Sequence, residues 1–355
     1  MRRCDVLVVG GGATGSATAW HLARRGVDVV LLERWAANHP HGSSHGATRM
    51  FRLSYADPSY VAMAQEALPL WRELEERSGE VLVETTGGID IGAEAAVAPI
   101  EAAILGSGAS AERVPASEAA DLWPGLAVDG VEETILLSPD AGRIWAERSV
   151  RVLQEQASAA GCEVRSNEPV VSMSPATGEA GTPLDDYVAD TIVVAAGAWT
   201  PGLLAGRPEG EGLPALTVTR EQTFHFPPLD DGLAWPSFVH HRGPGVPIVY
   251  GLETPGEGVK VAEDHAGAET DPDDRSFDID EIGRQRLIRY VTERLPGLDP
   301  KPVTESTCLY TSTTDGHFVV ERRGRLVIGS ACSGHGFKFT PRTGRMLADL
   351  AVAAP

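Results

Sequence analysis

A cysteine and a short glycine-rich, cationic segment near the end of the chain have side chains that could bind or react with a ligand. Cys308 opens the sequence Cys-Leu-Tyr-Thr, and residues 333–339 read Ser-Gly-His-Gly-Phe-Lys-Phe. Thr340 is a plausible N-cap and Pro341 suits the first helical position, so a helix is expected to begin there with its positive end beside the segment. The two segments could therefore contact one ligand through a thiol, a lysine and the positive N-terminus of a helix.

A dinucleotide-binding turn begins at residue 10. Residues 4–9 form a β-branched apolar run that is typical of a buried strand. In the Gly-x-Gly-x-x-Gly that follows, Gly10 permits a tight turn, Gly12 admits a pyrophosphate to the backbone and Gly15 lets the next helix pack on the sheet. The helix predicted over residues 13–25 directs its positive N-terminus at the phosphates.

An acidic residue completes this unit. Glu33 ends the second predicted strand, residues 27–32, about 20 residues beyond the glycines. An acid at this place accepts hydrogen bonds from ribose hydroxyls, which disfavours NADP but does not separate NAD from FAD. Because strand, glycines, helix, strand and acid follow in the required order, the sequence predicts a dinucleotide site.

Two further segments predict contacts with the same ligand. Residues 42–52 read Gly-Ser-Ser-His-Gly-Ala-Thr-Arg-Met-Phe-Arg and follow the second strand, so they lie at the carboxyl ends of the sheet, where doubly wound folds bind ligands. Their small polar residues and two arginines suit a phosphate, a flavin or a carboxylate. Residues 190–199 form another buried strand that ends in a small-residue turn, which lets the backbone approach a cofactor.

Composition limits the possible partners. The chain has 355 residues, which suggests about two domains, and a net charge of −20, which argues against nucleic acid and anionic membranes. No run approaches the roughly 20 apolar residues of a membrane span, and no signal peptide precedes the first strand, so we expect a cytoplasmic protein. The four cysteines lack metal-ligand spacing, and we expect no metal.

The order of the predicted elements indicates two interleaved domains. A βαβ unit and a long helix come first, short alternating strands follow, and strands with parallel-sheet character return later. We expect a dinucleotide-binding domain from residues 1–85, 142–215 and 305–355. Residues 86–141 and 216–304 are expected to form the second, substrate-binding domain.

These motifs together resemble the monomeric sarcosine oxidase and N-methyltryptophan oxidase family, within the wider group of D-amino-acid-oxidase-like flavoproteins. The matching stretches extend over essentially the whole chain: residues 10–33, 43–52, 195–199, 250–260, 308–318 and 333–339. The resemblance implies an α/β fold in which an FAD-binding Rossmann-like domain is interleaved with an antiparallel-sheet substrate domain. It also implies a monomer.

The resemblance assigns residues to the cofactor. Cys308 would hold FAD covalently through a thioether at the flavin 8-methyl group, and Arg49 would lie against the flavin ring. The residues expected to contact FAD are Gly10, Gly12, Gly15, Glu33, Arg34, Ser43, Ser44, His45, Thr48, Arg49, Val170, Gly197, Trp199, Cys308, Gly334, Gly336, Phe337 and Lys338.

Substrate contacts follow from the same resemblance. Arg52 and Lys338 would pair with a substrate carboxylate, and Lys260 would lie near flavin N5, where its charge stabilises superoxide as it forms. Clustered cations would also lower the pKa of the substrate amine by like-charge repulsion and so favour the neutral amine that hydride transfer needs. Tyr250, Tyr310 and His335 would line the pocket; the residues expected to act in catalysis are Lys260, Arg49 and His335.

One departure from the family pattern bears on the substrate. Many relatives place a histidine four residues after the lysine, whereas this chain has Asp264 there and His265 one residue later. The sequence leaves open which of the two faces the pocket. If Asp264 does so and contacts substrate, we expect a preference for substrates whose side chain is cationic or donates hydrogen bonds.

The sequence thus predicts an FAD-dependent oxidase of a secondary amino acid, either N-methyl or cyclic. Hydride passes to flavin N5, O2 is reduced to H2O2 and the imine is hydrolysed. The alternatives are a flavin dehydrogenase with another electron acceptor, a sugar-amine oxidase and, more distantly, an NAD-dependent dehydrogenase or a noncatalytic FAD-binding protein.

Overall fold

A computed structural model describes residues 1–128 and 132–353 of the chain. Its helices are α1 (Ala13–Ala23), α2 (Pro58–Ser78), α3 (Glu94–Gly106), α4 (Ala116–Leu122), α5 (Ala146–Ala159), α6 (Thr200–Leu204), α7 (Glu281–Arg294) and α8 (Thr340–Val352). Its strands are β1 (Arg2–Val9), β2 (Val29–Leu32), β3 (Thr48–Phe51), β4 (Val83–Thr85), β5 (Gly88–Gly92), β6 (Glu112–Arg113), β7 (Thr134–Ser138), β8 (Gly142–Trp145), β9 (Glu163–Arg165), β10 (Ser172–Ser174), β11 (Glu179–Gly181), β12 (Asp186–Val194), β13 (Thr217–Phe226), β14 (Ser237–His241), β15 (Val249–Thr254), β16 (Gly258–Glu263), β17 (Ala268–Glu269), β18 (Thr304–Ser312), β19 (Val319–Arg323) and β20 (Leu326–Ser330).

The first sheet is mainly parallel and contains the N-terminal strand. Strand β1 lies between β2 and β12, with β9 beyond β2 and β20 beyond β12, all parallel. The hairpin β10–β11 extends β12 in antiparallel fashion, and β19 pairs with β20. Helix α1 packs against α5 and α8. The central strands read as continuous apolar runs because both of their faces are buried.

The predicted first βαβ unit is confirmed, and glycine makes its turn possible. Gly10 has φ = 106°, and a Cβ there would lie 2.4 Å from the carbonyl oxygen of Ala195. A Cβ on Gly15 would lie 1.9 Å from the carbonyl oxygen of Gly10. The turn after β1 therefore touches both the turn after β12 and the first helical turn, and larger residues would push these three segments apart.

The second sheet is mainly antiparallel. Its order is β17–β13–β16–β15–β14–β5–β7–β6, and β18 pairs with β13. A separate core forms where α7 packs behind this sheet. A third, small sheet has the order β3–β8–β4. The predicted division into domains stays a prediction; residues 129–131 and 354–355 of its ranges lie outside the described residues.

The start of the last helix differs from the prediction. A 3₁₀ turn over Phe337–Phe339 continues directly into α8, so Phe339 is the N-cap and Thr340 is already helical. The prediction of Thr340 as the cap was wrong by one residue, because the preceding turn already carries near-helical dihedral angles. Among the helices of the described ranges, none is long and apolar enough to cross a membrane.

Candidate active site

One cavity collects the predicted site residues. It has a volume of about 1000 Å³ and extends from the glycine turn after β1 to strands β15, β16 and β18 of the second sheet. All the predicted site residues except Gly15 line it. Gly15 instead packs beneath the turn, against Gly10. Tertiary structure thus brings together motifs that are separated by almost the full length of the chain.

Glu33 stands at the dinucleotide end of this cavity as an ionised acceptor. Its carboxylate accepts hydrogen bonds from the backbone N–H groups of Gly11 (2.8 Å) and Trp35 (3.0 Å). Burial by itself would raise the pKa of this carboxyl. Its contact with His39 and the two backbone donors outweigh burial and lower the pKa. The group is therefore charged at neutral pH and able to accept ribose hydroxyls.

The segment over residues 43–49 joins the helix start to β18. Ser44 Oγ accepts the backbone N–H of Ala13 at 3.0 Å, and Ser43 Oγ donates to the carbonyl of Leu309 at 2.5 Å. Arg49 donates to the carbonyls of Ser43, His45 and Thr48 at 2.9, 2.7 and 2.8 Å. Because one guanidinium holds three carbonyls, the segment has a defined shape along the cavity wall.

These features fit a bound dinucleotide. The glycine turn presents backbone and no side chain to the cavity, and the N-terminus of α1 points at the same space. In the described part of the chain, His45 Nε2 and Ser330 Oγ are buried on the cavity lining without hydrogen-bond partners. Buried polar atoms of this kind are normally satisfied, so they indicate a polar ligand in the cavity.

The opposite end of the cavity is cationic. Lys338 is 5% exposed, and its Nζ donates to Tyr55 Oη and to the carbonyl of His335, both at 2.8 Å. The guanidinium of Arg52 lies 4.4 Å from the centre of the Tyr55 ring. Burial, with the charge of Arg52, lowers the pKa of Lys338 well below its usual value. A carboxylate bound between Arg52 and Lys338 would raise this pKa again.

A second buried lysine lies farther along the cavity. Lys260, on β16, donates to the backbone oxygen of Thr48 at 2.8 Å and contacts its Oγ1 at 3.3 Å. Burial and the charge of Arg49 lower the pKa of Lys260 to about 7. Cys308, on β18, is 9% exposed, and burial raises the pKa of its thiol to about 11.

The structure places Asp264, and not His265, on the cavity. Asp264 lines the cavity, and its Oδ2 lies 3.1 Å from His265 Nδ1. Burial opposes ionisation of Asp264, but His265 outweighs it and lowers the pKa of the carboxyl. His265 has φ = 52° and is exposed, and its ring packs edge-on to that of Tyr310. An ionised carboxylate therefore lines the cavity near Arg52 and His335.

Three residues of this region were missed by the sequence reasoning: Tyr55, His225 and Glu257. Tyr55 holds Lys338, whereas His225 and Glu257 line the cavity beside Lys260. Tyr55 lies three residues after Arg52 and carries no motif of its own. His225 could have been found only from the register of β13 on β16, which pairs it with Lys260.

The fold and the cavity define a dinucleotide-binding protein, and comparison with known proteins identifies its family. The model of the FAD dependent oxidoreductase (DAO) family matches residues 5–350. The chain is 32% identical to the peroxisomal sarcosine oxidase of Homo sapiens, over 98% of this chain and 92% of the relative. It is 31% identical to the monomeric sarcosine oxidase of Streptomyces avermitilis, over 98% of this chain and 93% of the relative.

A solved structure indicates the same family as these relatives. The open form of NikD, described as an unusual amino acid oxidase essential for nikkomycin biosynthesis, superposes with a TM-score of 0.88 at 30% identity, over 99% of this chain and 94% of that one. The chain therefore belongs to the FAD dependent oxidoreductase family, in the branch that contains the sarcosine oxidases. The predicted family, fold class and FAD cofactor are confirmed, and the NAD alternative is excluded.

Proposed function

We propose that the enzyme oxidises the carbon–nitrogen bond of a secondary amino acid, N-methyl or cyclic, with O2 as the electron acceptor. The observation that carries the proposal is the Arg52–Lys338 pair, which faces the cavity that begins at the dinucleotide turn. Two adjacent cations at one end of a cofactor cavity suit a carboxylate, and each charge-assisted hydrogen bond contributes about 1.5–3 kcal/mol. The relatives' names, sarcosine oxidase among them, support the same substrate class.

The side chains act on the substrate in two ways. Arg52 and Lys338 orient the carboxylate, while Tyr250 and Tyr310, whose hydroxyls lie 3.4 Å apart, line the space for the rest of the molecule. Positive charge around the amine lowers its pKa, which favours the reactive neutral form. FAD, when bound, accepts the hydride and returns the electrons to O2, giving H2O2, and the imine is hydrolysed.

The first experiment is an anaerobic visible spectrum of the purified protein with a panel of N-methyl and cyclic amino acids, primary amino acids and simple amines. We expect bleaching of the flavin band by a secondary amino acid, and H2O2 after air is admitted. Bleaching by amines that lack a carboxylate, or only by primary amino acids, would contradict the proposal. Bleaching that O2 does not reverse would favour a dehydrogenase.

Covalent attachment of FAD at Cys308 is part of the proposal. The thiol is buried on the cavity wall, and the cations Arg49 and Lys260 favour its thiolate even though burial raises its pKa. We expect Cys308→Ser to release its flavin on acid precipitation, whereas the wild-type protein keeps yellow colour and in-gel fluorescence after denaturation. Cys332→Ser is the matched control and should behave as wild type. Release of flavin from both wild type and Cys308→Ser would rule out the bond.

Asp264 is proposed to select the substrate side chain. Because an ionised carboxylate faces the cavity, a substrate with a cationic or hydrogen-bond-donating side chain gains an interaction worth about 1.5–3 kcal/mol. We expect kcat/KM for such a substrate to exceed that for sarcosine by about tenfold or more, and Asp264→Asn to reduce this preference. Equal or better turnover of plain sarcosine by the wild type would contradict the assignment. Asp315→Asn, at an exposed carboxyl that does not line the cavity, is the control.

The monomeric state and the cytoplasmic location remain predictions. The name of the Streptomyces avermitilis relative, monomeric sarcosine oxidase, supports the proposed monomer. Light scattering during size-exclusion chromatography tests this directly, and a dimer at assay concentration would contradict it.

A further inference from the structure

His225 is a buried histidine on the cavity wall that the proposed reaction has not yet used. Its side chain is 5% exposed, and both ring nitrogens lack a hydrogen-bond partner among the described residues. Burial, together with the charges of Lys260 and Arg49, lowers the pKa of the ring to about 4, so the ring is neutral at neutral pH. An unpaired buried imidazole costs free energy unless a ligand or solvent molecule meets it.

His225 has a buried lysine opposite it in the sheet and an exposed carboxylate near its ring. In the β13–β16 ladder His225 is directly opposite Lys260, so their side chains share one face of the sheet. Glu257 Oε2 lies 3.3 Å from His225 Nε2 without forming a hydrogen bond, and the Glu257 side chain is 41% exposed. The remaining groups that act on Lys260 are the charges of Arg49 and Glu147 and the neutral thiol of Cys308.

The proposed oxidation creates a need for protons at this place. Conversion of R2CH–NHR′ and O2 into R2C=NR′ and H2O2 moves two electrons and two protons from amine to oxygen. One proton travels within the hydride, but the N–H proton leaves separately, so one proton has to reach oxygen by another route. Lys260 can donate it and must then be recharged. Its contacts with the backbone oxygen and hydroxyl of Thr48 offer no acid for this purpose.

We propose that His225 relays protons from Glu257 at the protein surface to the Nζ of Lys260. A neutral imidazole accepts a proton at one nitrogen and releases one from the other, so no lasting second charge is placed beside Lys260 and Arg49. The relay rests on the proposed oxidase function, because only a reaction that forms H2O2 needs it.

The first test measures the oxidative half-reaction alone. The flavin is reduced chemically, the enzyme is mixed with O2 in a stopped-flow instrument, and reoxidation is followed over a range of pH. We expect His225→Ala to reoxidise about 10- to 100-fold more slowly than wild type, with part of the rate restored by free imidazole. Glu257→Gln should slow the reaction less, since water can replace an exposed carboxylate.

A matched control is His240→Gln, at a buried histidine outside the cavity lining whose ring nitrogens pair with Tyr290 and Glu133. This control should reoxidise as wild type. A wild-type rate in His225→Ala, or a slow rate that imidazole leaves unchanged, would overturn the relay. The flavin is reduced chemically in this test, so the reoxidation rates can be measured without an amine substrate. If no amine bleached the wild type, the proposed function would be contradicted, but the reoxidation rates would still test the relay.

The second test does not depend on turnover. The chain contains only three lysines, Lys260, Lys301 and Lys338, so the side-chain amines of the oxidised holoenzyme can be resolved by ¹⁵N NMR after lysine labelling. We expect His225→Ala to slow solvent exchange of the Lys260 amine protons about tenfold, while exchange at the exposed Lys301 stays unchanged. Equal exchange at Lys260 in both proteins would contradict the relay.

Discussion

Replacing Lys260 with methionine is expected to slow reoxidation of the reduced enzyme by O2 at least about 100-fold, while reduction by the amine changes far less. Reduction of O2 builds negative charge in the cavity, and Lys260 is a buried amine held in place there by Thr48. A preorganised donor in a water-poor site commonly contributes a factor of about 100–1000. Methionine preserves the buried chain and removes the charge.

The pH dependence of the same step has a definite sign. Burial lowers the pKa of Lys260 to about 7 in the free protein, and negative charge in the reduced cavity would raise it again. The wild-type reoxidation rate should therefore be high at low pH and fall as pH rises through a midpoint at or above 7. Lys260→Met should lose this dependence. A rate that rises with pH, or an unchanged profile in the variant, would contradict the role of the charge.

Two further variants separate charge from packing. Lys260→Arg keeps a charge that cannot be removed at these pH values, so we expect a flat pH profile with a rate above that of Lys260→Met. Lys301→Met, at the exposed lysine, should reoxidise as wild type. Lysine is rare in this chain: of its 30 lysines and arginines only three are lysines. Two of these three lysines line the cavity. The chain's other 27 cationic side chains of this kind are arginines, which stay protonated at these pH values.

The second large effect is expected at Lys338. Replacement by methionine should weaken binding of a carboxylate without an amine, such as propanoate, by about 10- to 100-fold. Lys338 donates hydrogen bonds to Tyr55 Oη and to the carbonyl of His335. In a neutral amine these two hydrogen bonds would use both N–H groups. Protonation adds a third N–H, which a bound carboxylate can accept.

Proton uptake on binding provides the measurement. Burial and the charge of Arg52 lower the pKa of Lys338 in the free protein, and an anion that binds beside the amine raises that pKa, so binding of the anion favours the protonated amine. Calorimetric titrations with propanoate in buffers of different ionisation enthalpy should show uptake of protons by the wild type. Affinity should fall as pH rises. Both effects should be absent in Lys338→Met.

The control for this prediction is Lys338→Arg, whose permanent charge should bind the anion without proton uptake and with little dependence on pH. Binding of propanoate to the wild type with no proton exchanged would show that Lys338 is already charged in the free enzyme. Equal affinity in wild type and Lys338→Met would show that the carboxylate binds elsewhere.

How far the sequence predicts this site depends on the separation of the interacting residues. The unit from Gly10 to Glu33 was predictable because its chemistry depends on local spacing: glycines where the backbone must turn and an acid at the end of the next strand. The segment over residues 43–52 was predictable for the same reason. Most of its residues line the cavity at the carboxyl end of the sheet.

Other features could not be predicted because they depend on distant pairing or on backbone angles. Tyr55 acquires its importance from a hydrogen bond to Lys338, 283 residues away. The choice between Asp264 and His265 is decided by the positive φ of His265 at the end of β16, which turns its ring out against Tyr310.

The sequence by itself determined the dinucleotide turn, the acid, the thiol and the set of cations, because local patterns of residue types specify each of them. Only the tertiary structure decided that these groups share one cavity, that burial lowers the pKa of two lysines within it, and that His225 lies opposite Lys260. The physical reason is that burial and strand register are properties of the packed chain. They set pKa values and neighbours that local sequence does not contain.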